Sequence, residues 1–155
     1  MDMGNRRQSR RIGFEKELVP GYFPGAQFND IPHGTHLDFW TGRNGRRHDY
    51  QLRVELPPDY PHKEPGLFVQ SPRDLPTHDG TGVLNGQGAS HDWHIHNNDE
   101  DGRVKVCYTS DWDASMNCVV VLLCGIIWID AYENYLTTGE TIAQYIERLK
   151  DELGD

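Results

Sequence analysis

Between residues 35 and 56 the chain alternates. Leu37, Phe39 and Thr41 take turns with Asp38 and Trp40, and Tyr50, Leu52, Val54 and Leu56 take turns with Gln51, Arg53 and Glu55. A period of two marks a strand with one buried face, so residues 35–41 and 49–56 predict two strands. Gly42-Arg43-Asn44-Gly45 between them suits a hairpin. Residues 26–31 predict a weaker strand before this pair and residues 67–70 a short one after it, which together make a sequential four-stranded antiparallel meander. Strand content is expected to end there. Residues 71–106 are rich in Gly, Pro, Asp, His and Asn and read as one long loop, of a length that is usually functional or disordered. Past that loop the period lengthens. Met116, Val119, Val120, Leu123, Ile126, Ile127 and Ala131 recur at helical spacing, opened by Asp113 or Ser115 as a cap and closed by Gly139. Residues 141–153 predict a final amphipathic helix carrying Ile142, Tyr145, Ile146 and Leu149 on one face, and residues 1–18 a short helix stopped by Pro20 and Gly21. The expected class is α+β, with helices covering one face of the sheet.

A chain of 155 residues fits one domain, here residues 1–155, and can bury its own core without staples. Arg6, Arg7, Arg10 and Arg11 lead into no apolar run of the kind a signal peptide needs, and the longest apolar stretch, residues 119–129, is interrupted by Gly125 and reads as too short to span a bilayer. Three cysteines without regular spacing argue against a disulfide framework and for a reducing compartment. The expectation is a cytoplasmic protein without a membrane partner. A formal charge of -9 argues against nucleic-acid binding. That charge is unevenly spread: the arginines above and Lys16 make the start basic, while Asp92, Asp99, Glu100, Asp101, Asp111 and Asp113 make the stretch around Cys107 acidic.

Cys107 is the thiol that falls outside a helix. Cys118 and Cys124 lie on the apolar helical stretch, where a free cysteine usually serves as a small hydrophobe. No phosphate-binding loop, Gly-x-Ser-x-Gly elbow or dinucleotide fingerprint is present. His91, His94 and His96 cluster with Asp92 ahead of Cys107, so zinc ligation is one alternative, although no paired Cys-x-x-Cys or helical His-Glu-x-x-His frames it.

Three elements in order carry a resemblance. Tyr60-Pro61-His62-Lys63-Glu64-Pro65 follows a strand ending in Glu55-Leu56-Pro57; His96-Asn97-Asn98 precedes Gly102 and Cys107; and Trp112 precedes the long helix. Together, from residue 6 to residue 136, they resemble the ubiquitin-conjugating enzymes, with their Tyr-Pro-x-x-Pro-Pro turn, His-Pro-Asn tripeptide, active cysteine and following Trp. The match departs from the family pattern. Asn97 stands where Pro is usual, the gap to the cysteine is slightly longer, and Trp112 comes early with no Pro after it. Divergent bacterial members are similar in lacking a strict tripeptide.

The resemblance implies a ubiquitin-conjugating-enzyme-like fold, with an N-terminal helix, a four-stranded meander, a long active-site loop, a long central helix and a C-terminal helix. It implies that Cys107 accepts a ubiquitin-like protein from an activating enzyme as a thioester and passes it to a Lys amine or another nucleophile on a protein target, with no cofactor. Asn98, or Asn97 in its place, would donate to the developing oxyanion or else fix the loop, and His96 would order the same loop. Asp99, Asp111 and Asp113, with Trp112, would orient the incoming nucleophile. The acidic ring including Glu100 and Asp101 is expected to raise the Cys107 pKa, the opposite of what a cysteine protease needs. Arg6, Arg7, Arg10 and Arg11 would dock the activating enzyme, and Tyr60, Pro61 and His62 a ligase. A second alternative is a variant that binds the ubiquitin-like protein without transferring it.

Overall fold

The computed structural model describes residues 3–154 except 33, 88–90, 97, 99, 100 and 110, and the backbone alone at 3–7, 86 and 87. A helix α1 (Met3–Tyr22) leads into strands β1 (Gln27–Ile31), β2 (Gly34–Trp40), β3 (Gln51–Leu56) and β4 (Gly66–Ser71). After a 3-10 turn at Leu84–Gln87 come β5 (Ile95–His96) and β6 (Lys105–Val106), then helices α2 (Cys118–Thr138) and α3 (Ile142–Glu152). All pairs are antiparallel, in the order β1-β2-β3-β4-β6-β5. The class is α+β, with three helices and one six-stranded sheet among the described residues.

The alternation read from the sequence is the alternation of burial. Leu52, Val54 and Leu56 are buried on β3 while Gln51, Arg53 and Glu55 are half-buried on its other face. Val121, Leu122, Trp128, Ile129 and Tyr132 of α2 join Leu37, Leu52, Leu67 and Val69 of the sheet in one core. Gly125 sets the spacing of these layers: a Cβ there would lie 2.9 Å from Leu52 Cδ1 and 3.4 Å from Leu67. Gly139 ends α2 at φ 79°, its N–H donating to the Tyr135 carbonyl, and Thr141 and Gln144 close a reciprocal capping box on α3.

Four expectations need correction. The meander does not end the sheet, because β6 pairs with β4 and β5 with β6 inside the stretch read as loop; strands of two residues are too short to display a period. Helix α2 starts later than Asp113 or Ser115. Asp113 Oδ1 accepts the Ser115 N–H in a local turn, and the cap is Asn117, whose side chain accepts from Val120 N–H. Helix α1 passes through Pro20 to Tyr22: proline's fixed φ is helical, and its lost donor and the crowding by its ring fall in the helix's last turn. Finally, α2 has 21 residues and a mean hydropathy of 1.5, long and apolar enough to cross a membrane, because the helix extends beyond the apolar run 119–129. One face of it is taken by the sheet.

Candidate active site

The β5–β6 hairpin decides what stands beside Cys107. Ile95 lies opposite Val106 and His96 opposite Lys105, and one step further out the Cys107 N–H donates to the His94 carbonyl at 2.7 Å. The register therefore sets the His94 backbone across from that of Cys107. Ile95 and Val106 are buried and anchor the hairpin, while Cys107 is half-buried. Both His94 and Cys107 line a cleft of about 230 Å³ whose other walls include Cys124 and Trp128 of α2 and Ile146 and Lys150 of α3. Cys124, expected to be core, shares the thiol's cleft; Cys118 is fully buried. All three thiols are free.

Burial, and after it the carboxylate of Glu64, raises the Cys107 pKa above its ordinary value. The direction matches the sequence reading, but the cause differs. Asp101 is held well below the usual carboxylate range by Arg103, which it meets at 2.7 Å, and Asp111 and Asp113 are exposed. Asp99, Glu100 and Asn97 lie outside the described residues. Glu64 belongs to the Tyr-Pro turn, far from Cys107 in sequence.

That turn is pinned from three directions. The Trp112 indole donates to the Pro61 carbonyl at 2.8 Å, and the Tyr108 hydroxyl to the Pro65 carbonyl at 2.6 Å. Tyr60, only 1% exposed, sends its hydroxyl to Glu15 on α1. Glu15 is itself fully buried and also accepts the Cys118 N–H, at 3.2 Å and 3.3 Å to its two oxygens. The segment that follows Cys107 is thus tied to this turn through Tyr108 and Trp112. Trp112 acts as a strut here, and Tyr60 is interior and offers no surface to a ligase. Pro61 is half-buried, and His62 is the exposed member of the three.

Asn98 lies elsewhere. Its amide donates to Asp101 Oδ1 at 2.8 Å and to the Arg103 carbonyl at 3.1 Å, so both its protons serve the loop. It lines a separate groove of about 430 Å³ on the outer face of the sheet with Phe68, Arg103 and Lys105. There Arg103 lies 3.9 Å over the Phe68 ring and bonds Glu55 at 3.0 Å. Of the two roles expected for Asn98, these contacts are those of the loop-fixing one. His96 is half-buried in a small cavity with Glu64, Lys105 and Tyr108, next to the thiol's cleft.

The basic start divides. Arg11 is an internal strap: its guanidinium donates to the Ala114 carbonyl at 2.6 Å and to that of Met116, and lies 3.5 Å from Glu15. It is therefore corrected from docking residue to structural one. Arg10 is exposed, and the side chains of Arg6 and Arg7 lie outside the described residues. Among the described residues no three His, Cys, Asp or Glu side chains form a set that could hold a metal ion, so nothing there supports the zinc alternative.

The sequence set His94 near Cys107 only as part of a zinc alternative, and it did not point to Glu64 as the thiol's charge or to Glu15 as its distant support, because both come from far along the chain. Comparisons with protein-family models, curated proteins and solved structures find no match for this chain.

Proposed function

We propose that this chain is a conjugating enzyme, which takes the carboxyl end of a ubiquitin-like protein from an activating enzyme as a thioester on Cys107 and transfers it to an amine on a protein target. One observation carries the reading. Cys107 sits half-buried at the mouth of a cleft, directly off a strand, while Trp112 and Tyr108 fasten the Tyr60–Pro65 turn beside it. Thioester exchange is close to isoenergetic, so such a site needs a fixed, accessible sulfur more than an activated one. A raised thiol pKa suits that task and suits a protease poorly. The ubiquitin-conjugating-enzyme-like fold is part of the same proposal, supported by the meander, the pinned Tyr-Pro turn and the helix that follows the cysteine.

The test is charging with ATP, an activating enzyme and a ubiquitin-like protein. Wild type should give a thiol-labile adduct, Cys107→Ser a thiol-resistant adduct or none, and Cys124→Ser the wild-type result. Adduct on Cys107→Ala, or none on wild type, sinks the proposal. A second reading, binding without transfer, draws support from the Asn98 amide being bonded within its own loop. It requires a stable complex with the ubiquitin-like protein and no covalent adduct.

A further inference from the structure

The cleft holds a group whose chemistry the charging reaction does not use. His94 is one of two non-glycine residues with positive φ, at 48°, among those described. That backbone region is costly for most side chains and persists where the surroundings impose it. Here the imposed geometry ties His94 to the strand that carries the thiol: its carbonyl accepts the Cys107 N–H at 2.7 Å. His94 lines the same cleft as the thiol. A neutral imidazole lining the cleft of a thioester-bearing sulfur can assist aminolysis by taking the proton of the attacking amine.

We propose that His94 is the proton acceptor for the amine that discharges Cys107. The amine nitrogen attacks the thioester carbonyl, the new C–N bond forms and the C–S bond breaks. The ammonium proton passes to the imidazole and from there to the departing thiolate, so that an amide and a free thiol remain. Around the ring stand the His91 ring, at 5.1 Å between centroids, and Lys150 and Glu147 of α3. Burial first, then His91 and Lys150, disfavour the imidazolium, against the Cys107 backbone and Glu147. The net direction is downward, so the ring is neutral and able to accept at physiological pH.

The inference rests on Cys107 as the acyl carrier, but its test needs no protein partner. Cys107 is acetylated with p-nitrophenyl acetate, the thiolate displacing p-nitrophenolate, and mass spectrometry places the acetyl group. Discharge by free lysine is then timed from about pH 5 to about pH 9, the range in which imidazole titrates, in wild type and in His94→Asn, since Asn tolerates positive φ. Comparing the two at each pH cancels the titration of lysine itself. The ratio of wild-type to variant rates should be about 100 above the imidazole pKa and fall toward unity as pH drops through it, at a value below that of free His. Added imidazole should restore part of the variant's rate. A ratio of one throughout, or a deficit that does not change with pH, overturns the proposal. Should His94→Asn unfold, His94→Gln is measured in its place. Failed charging by an activating enzyme would leave this result standing, and failed base catalysis would leave charging untouched.

Discussion

At the scale of single residues, the thiol is governed by what packs on it. The Cys107 pKa is raised first by burial and second by Glu64, because removing water and adding a nearby anion both disfavour the thiolate. Iodoacetamide should therefore react slowly at neutral pH, with a rate that rises through a midpoint above the ~8.5 of a free thiol. Glu64→Gln should lower that midpoint without bringing it to the free-thiol value, since burial is untouched. Alkylation followed by mass spectrometry across pH measures both, and a wild-type midpoint well below ~8 would mark a different kind of thiol. Cys107 itself was legible in the sequence because it fell outside the helical pattern. Its neighbours were not. Proximity along the chain pointed to Asp101, Asp111 and Asp113, whereas Asp101 is engaged by Arg103, the other two are exposed, and the operative carboxylate arrives from the Tyr-Pro turn.

At the scale of elements, α1, the Tyr-Pro turn and the start of α2 meet on one buried carboxylate. Glu15 accepts from Tyr60 and from the Cys118 N–H and faces Arg11, which in turn straps the loop before α2. Glu15→Ala would leave a buried hydroxyl and a buried N–H without this acceptor and Arg11 without its counter-charge, and should cost about 3 kcal/mol. Glu15→Gln keeps one oxygen and the shape, and should cost about 1 kcal/mol. Urea unfolding of both variants decides; equal, small losses would mean that water replaces the carboxylate. Elements with a clean period were readable from sequence, as β2, β3, α2 and α3 are. The short β5 and β6 carry no period, and Met116 keeps helical phase although the Asp113 turn holds it ahead of α2. The first of these hid the hairpin that builds the site, and the second misplaced the start of α2.

For the whole molecule, of charge -9, the sequence at the start of α1 is locally basic, and a partner docking on that helix would meet the exposed Arg10. The structure separates two arginines that the sequence treated alike. Arg11 holds the fold, so Arg11→Glu should lower the melting temperature and confuse any binding result. Arg10 is exposed and is the informative site. If α1 receives the activating enzyme, Arg10→Glu should slow charging by about three- to tenfold at low salt, because rim charges act mainly on association rate. The defect should shrink as added salt shortens the screening length from about 10 Å at 0.1 M to about 3 Å at 1 M. Its melting temperature should match wild type. A charging rate equal to wild type at every salt concentration would remove α1 as the docking element, and would leave the chemistry at Cys107 to be judged on its own.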